Sequence, residues 1–256
     1  MNSAPATTVP QSPYPNAPII EAVIEIRVEY SDAAAAAVHR AAFVASLSSE
    51  FPRKETMQRH EIQVEVSPEG PPQVGKKETA GGWRLFNEKS DRVLVLLSDT
   101  FAYSHMPPYT RWETFRSECE PLWERFVAAC GPSRVSRLAV RNINRLKFPQ
   151  GKIDLHEYLR MVPDVPEAIG IVNSLLFQIQ VLHPSIAQGC QSFLRLASET
   201  AIDPQFQPLI LDIGVVSEGS WRSDDRGVWE QLTQLRDKKN ELFEACITDS
   251  TRRMFA

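Results

Sequence analysis

Charged side chains repeat along one side of two segments whose other side is apolar. Residues 19–30 alternate apolar with charged positions, and residues 135–148 carry arginines at intervals of four. Because side chains alternate between the two faces of a strand, each segment predicts a strand with one charged face. Convergent arginines bind phosphate or carboxylate groups, and paired carboxylates bind divalent cations. With a polar residue from the apolar segment 209–216, the candidate binding residues are Glu21, Glu25, Arg137, Arg141, Arg145 and Asp212.

Three interpretations of this charged sheet face are open. Opposite charges on neighbouring strands contribute about 0.2 to 1 kcal/mol per pair, so the residues fit an ordinary solvated surface. A concave face would instead bind a phosphate-bearing ligand or a cation, with Gln178 and Gln180 as further polar positions. The third interpretation is a partner protein that covers the face.

Trp221 is a second candidate contact residue. It lies in a polar stretch between Ser220 and Arg222, which predicts an exposed loop. A tryptophan there either contacts a partner or covers the edge of the core.

The sequence lacks the motifs of common enzyme and metal sites. It has no P-loop, no GxSxG and no GxGxxG after a predicted strand. Its five histidines show no pair at metal-binding spacing, and its four cysteines form no CxxC. We therefore assign no catalytic residue, no metal and no cofactor, and we interpret the cysteines as buried apolar residues.

Composition gives expectations about partners and location. The net charge of −4 provides no general attraction to nucleic acid or to anionic membranes. No apolar run reaches the roughly 18 to 20 residues that cross a bilayer, and the first residues do not resemble a signal peptide. We expect a cytoplasmic protein without a membrane or strong nucleic-acid association.

Hydrophobic periodicity predicts an α+β fold, with an antiparallel sheet of about seven to nine strands and long helices packed on one face. A helix is expected over 110–130, where Pro121 should kink or divide it, and its predicted apolar stripe comprises Phe115, Cys119, Leu122 and Phe126. The closing helix, 226–247, carries an inner apolar side. On its solvent side we expect Lys238, Lys239, Glu241 and Glu244.

The domain organisation is predicted from proline content and element order. Residues 1–18 hold five prolines and predict a flexible arm. Residues 19–256 predict a single α+β domain. Strands followed by a long helix occur in both 19–150 and 151–256, so a pseudo-repeat of these two halves is an additional hypothesis.

Three segments carry a resemblance: APIIEAVIEIR at 17–27, RLAVRNINR at 137–145 and KNELFEACITD at 239–249. Together they resemble a sporadically distributed family of uncharacterised bacterial proteins of about this length. The resemblance implies an accessory role, such as defence or toxin control. It implies no catalytic residue.

Two functional hypotheses follow. The first is a non-enzymatic interaction or regulatory protein, in which the polar sheet face or Trp221 contacts a partner protein or a second copy in a homodimer. The second is a phosphate- or nucleotide-binding enzyme that uses the charged sheet face.

Overall fold

The computed structural model describes residues 14–65, 73–151, 153–170, 172–187 and 189–256, with the side chains of 58–80 and of 167 left aside. Nine strands form one antiparallel sheet, and five α-helices accompany it in this part of the chain. The predicted α+β class with an antiparallel sheet is therefore confirmed. The predicted flexible arm falls mostly on residues 1–13, which lie outside the described residues.

The strands are β1 Ile19–Glu29, β2 Arg53–Glu65, β3 Gln73–Phe86, β4 Arg92–Leu97, β5 Thr100–His105, β6 Arg134–Pro149, β7 Leu176–Leu182, β8 Gln191–Ser198 and β9 Phe206–Trp221. Their order across the sheet is β2-β3-β4-β5-β1-β6-β9-β8-β7. The helices are α1 Ala33–Ser46, α2 Trp112–Cys130, α3 Leu155–Tyr158, α4 Gly227–Cys246 and α5 Asp249–Arg253. A short 3₁₀ turn covers Glu167–Ile169.

The same order of elements occurs twice. In the first part, β1 and α1 precede a meander, β2 to β5, whose last strand returns to pair with β1 before α2. In the second part, β6 and α3 precede β7 to β9, and β9 returns to pair with β6 before α4. The two opening strands, β1 and β6, pair with each other at the centre of the sheet.

Alternation along the strands directs one face of the sheet toward the helices. The even-numbered residues of β1 from Ala22 to Val28 are buried against α1, α2 and α4. The predicted stripe of α2 is buried as well and comprises Phe115, Cys119, Leu122 and Phe126. Helix α2 runs through Pro121 without division, and that proline is on the exposed side. All four cysteines are buried and reduced.

Helix α4 crosses between two groups of buried apolar residues. Leu235 belongs to the group formed with α2 and β1, whereas Cys246 belongs to the group formed with β8 and β9. The helix thus spans the sheet near β6 and β9, and its middle lies where the two groups meet. No described helix has the length and apolar composition required to cross a bilayer.

Candidate functional site

The predicted charged residues do share one face of the sheet, on the side away from the helices. Strand β1 pairs with β6, and Arg137 forms an ion pair with Glu25. Arg27 also donates to Glu25, at 3.3 Å. Glu21 accepts a hydrogen bond of 2.8 Å from Ser104 of β5. Both acidic candidate residues of β1, Glu21 and Glu25, therefore already have partners within the sheet.

Arg141 makes the most specific contact on this face. Its Nε and Nη2 each donate to a carboxylate oxygen of Asp212 at 2.7 Å. Asp212 is only 2% exposed, and its hydrogen bonds raise the pKa of Arg141. The guanidinium also lies over the ring of Phe193. That ring fits because Gly214 lacks a side chain, since a Cβ there would stand 2.2 Å from Phe193 Cε1.

Arg145 is paired in the same way with Glu199, through two hydrogen bonds of 2.6 Å. Each of the three predicted arginines is thus held by a carboxylate of its own chain. They stand in a row along β6, and each points its donors at that partner. The arrangement brings the predicted residues together without leaving an arginine free for a ligand.

Trp221 is not in a loop. It is the last residue of β9, lies opposite Val135 of β6 and is half-buried against the core. Its ring covers Gly219, where a Cβ would approach the ring to 2.5 Å. This placement matches the second of the two interpretations, in which Trp221 covers the edge of the core.

A cavity of about 230 Å³ lies on the opposite, helix-covered side of the sheet. It is a partly open cavity lined by the segment before β1, the start of α2, the middle of α4 and the centre of β6. All three segments that carry the family resemblance contribute to its wall. Those contributions are Ala17, Pro18 and Ile19, then Asn142 and Asn144, then Lys239, Asn240, Phe243 and Glu244.

Lys239 is the unusual residue of this cavity. The residue is 5% exposed, its Nζ keeps accessible surface in the cavity, and no described residue reaches that nitrogen by a hydrogen bond or ion pair. Burial, reinforced by the charge of Arg236, lowers its pKa from 10.5 to about 7. An isolated buried ammonium is costly, so such groups are normally paired or lose their proton.

Three other charged residues of the cavity wall, Glu113, Arg236 and Glu244, have charged partners. Arg236 donates to Glu113 at 3.0 Å and to Asp237 at 2.6 Å. Glu244, which is 4% exposed, accepts from Tyr14 and from Arg252, each at 2.8 Å. Arg111, which is exposed, reaches only the Thr114 hydroxyl at 3.4 Å, so Lys239 is the buried charge of this wall that lacks a partner among the described residues.

The remaining wall combines aromatic rings with amides. Trp112 is buried, and the half-buried Tyr109 has a raised pKa because of its burial, so that its hydroxyl keeps its proton at neutral pH. On β6, the amide of Asn144 donates to the carbonyl oxygen of Leu211 at 2.9 Å. Asn142 and Asn240 add two half-buried amides near Lys239. The cavity can thus contact an apolar body and hydrogen-bond a polar end.

The expectation that Lys239 and Glu244 face solvent is wrong. The apolar positions of α4 advance by four, three, seven and four residues through Val228, Leu232, Leu235, Leu242 and Cys246. The step of seven leaves one position of the stripe unfilled, and Lys239 occupies it. This gap in the stripe was the sequence signal that position 239 is buried. It was not recognised because lysine is rarely a buried residue.

Comparison with protein-family models and with curated proteins found no match to this chain. Within the described part of the chain, no three histidine, cysteine or acidic side chains are grouped so that they could hold a metal ion. The cavity is therefore assessed on its own chemistry.

Proposed function

We propose that this protein is a non-enzymatic regulatory protein that binds a small organic carboxylate in the cavity around Lys239. The observation that carries the proposal is the buried ammonium without a described counter-ion. A bound carboxylate would supply that charge in a low-dielectric environment, where a paired ion is far less costly than an isolated one.

The volume limits the size of the ligand. A cavity of about 230 Å³ exceeds the roughly 150 Å³ that holds benzene and is smaller than the roughly 300 to 1,000 Å³ of drug-sized sites. Trp112, Tyr109 and Phe243 favour an apolar or aromatic body. A short aliphatic or monocyclic aromatic acid fits these limits.

The charge of the wall favours a monoanion. Lys239 offers one positive charge, while Glu113 and Glu244 lie on the same wall. Arg236 and Arg252 already neutralise these carboxylates. Of the cations on the wall, Lys239 and the exposed Arg111 lack a carboxylate partner among the described residues, and only Lys239 is buried. A single carboxylate matches this one buried charge.

The phosphate-binding enzyme inferred as an alternative from the sequence has less support. Its arginines are occupied by Glu25, Asp212 and Glu199. A binding role without chemistry agrees with the absence of a recognised catalytic motif. The accessory role and the cytoplasmic location expected from the sequence remain part of the proposal.

Isothermal titration calorimetry tests the proposal. Benzoate and hexanoate serve as carboxylate probes, and benzamide is the neutral analogue of benzoate. We expect at least one carboxylate to bind the wild type, benzamide to bind at least tenfold more weakly, and Lys239→Met to lose at least tenfold in carboxylate affinity.

Lys238→Met is the matched control, because the neighbouring, half-buried Lys238 pairs with Glu241 and is absent from the cavity wall. It should bind like the wild type. Equal carboxylate affinity in Lys239→Met, or no carboxylate binding to a folded wild type, would overturn the proposal.

A further inference from the structure

Strand β7 forms one end of the sheet and pairs only with β8 among the described residues. Its sequence, LFQIQVL, contains no proline and no charged residue. Natural edge strands are usually protected from further pairing by prolines, lysines, bulges or covering elements. Strand β7 contains neither a proline nor a lysine.

The hydrogen bonds at the two ends of β7 determine which backbone groups face outward. His183 N donates to Cys190 O, and Ser198 N donates to Leu175 O, each at 2.8 Å. Odd-numbered residues therefore bond to β8. Because the pattern alternates along an antiparallel strand, the even-numbered residues present their N–H and C=O groups to the open edge. These residues are Leu176, Gln178, Gln180 and Leu182.

The strand is self-complementary about Ile179. In an antiparallel pair of two copies centred on that residue, Gln178 of one copy lies opposite Gln180 of the other. Leu176 likewise lies opposite Leu182. All four outward-facing residues then fall in hydrogen-bonded pairs. This register therefore gives the outward backbone N–H and C=O groups of both copies hydrogen-bond partners.

Exposed apolar side chains mark the two ends of this edge. Leu176 is 75% exposed and Leu182 is 72% exposed, although both belong to a regular strand. In the symmetric register, Leu176 of each copy would contact Leu182 of the other copy, so one such contact forms at each end of the paired strands. Ile202, 94% exposed in the turn after β8, lies beside the same end of the sheet as Leu176. Pairing thus buries apolar surface that is otherwise hydrated.

We propose that two copies of this chain associate through β7, antiparallel about Ile179, so that their sheets become one continuous sheet. The occupant of the edge is a second copy because the match between Gln178 and Gln180, and between Leu176 and Leu182, is made by the strand with itself. The interface does not use any residue of the cavity wall.

Gln180→Pro is the decisive variant, because it deletes an outward N–H while the bonds to β8 come from the odd-numbered residues. Gln180→Ala is its matched control, since both lose the side-chain hydrogen bond to Gln191 and only the proline loses the N–H. Light scattering after size-exclusion chromatography should give twice the chain mass for the wild type and for Gln180→Ala. It should give one chain mass for Gln180→Pro, with the circular dichroism of a folded protein.

A charge-pair experiment keeps the proposal testable if the proline variant fails to fold. Leu176→Lys/Leu182→Lys and Leu176→Glu/Leu182→Glu should each be monomeric alone, because the register sets like charges opposite one another. Mixing them should restore the double mass as a heterodimer. A monomeric wild type, or a folded Gln180→Pro that keeps the double mass, would overturn the proposal, as would two charge variants that do not combine.

Discussion

The two faces of the sheet differ in whether their buried charged residue has a counter-ion among the described residues. On the open face, Arg141 and the nearly inaccessible Asp212 meet in a two-point contact. On the helix-covered face, Lys239 is also buried, at 5% exposure, but has no counter-ion among the described residues. A paired charge is explained by the fold that holds it, whereas an unpaired buried charge needs a further explanation. This difference is why we assign ligand binding to the cavity rather than to the row of arginines.

Lys239→Met should give the largest change in the free energy of unfolding. The folded-state pKa of Lys239 is about 7, below the unfolded value of 10.5, so the unfolded chain binds more protons between these pH values. The wild type should therefore gain stability as the pH rises from about 7 to 10.5. Relative to it, the variant should be more stable by on the order of 4 kcal/mol at pH 6, and the difference should shrink toward pH 10.

Urea unfolding of both proteins at pH 6, 8 and 10 checks this expectation. Lys238→Met, altered at the neighbouring half-buried position that already has Glu241 as a partner, should stay within about 0.5 kcal/mol of the wild type at each pH. A Lys239→Met protein that is destabilised at pH 6 would show that Lys239 has a structural partner in the folded chain.

Arg141→Ala should give an intermediate effect of the opposite sign. Its removal leaves the carboxylate of Asp212 buried without a cation. Because the Arg141 side chain is 39% exposed and its charge is partly screened, we expect a loss of about 2 kcal/mol, below the range for fully buried pairs. In a double-mutant cycle, removing Asp212 as well should recover at least half of this loss. Additive effects of the two mutations would contradict a direct partnership.

Arg134→Ala should give the smallest effect. Arg134 contacts Glu29 at 2.7 and 2.8 Å, so its geometry is as good as that of Arg141. Both side chains are nearly half exposed, however, and water replaces their contact when it is broken. The midpoint of urea unfolding should not change measurably. A loss as large as that of Arg141→Ala would mean that geometry, rather than burial, determines the strength of these pairs.

Sequence alone predicted the parts of the fold that have strong periodicity. The alternation along β1 and the stripe on α2 correctly identified both elements and their buried sides. Strand β3 begins at Gln73, although the residues before Trp83 are rich in glycine and lysine and have low strand propensity, because pairing with β2 extends the strand through them. Tertiary pairing of this kind overrides local preference and is not visible in a single segment.

The candidate site was harder to predict, for a physical reason. Residue type correctly placed Glu25, Arg137 and Arg141 on one face, but their pairing depends on which strands are neighbours. Lys239 was assigned to solvent because lysine is rarely buried, and the rule fails where a cavity exists. Only the stripe position of Lys239, midway between Leu235 and Leu242, indicated otherwise.

The most direct test of the cavity assignment is the pKa of Lys239 itself, measured by NMR on protein with ¹³C-labelled lysine and assigned by comparison with Lys239→Met. One lysine signal should titrate near pH 7, whereas exposed lysines titrate near 10.4. Saturating benzoate or hexanoate should shift that titration upward, because a bound carboxylate stabilises the ammonium form. A Lys239 signal that titrates with the other lysines, and does not respond to either acid, would contradict the account.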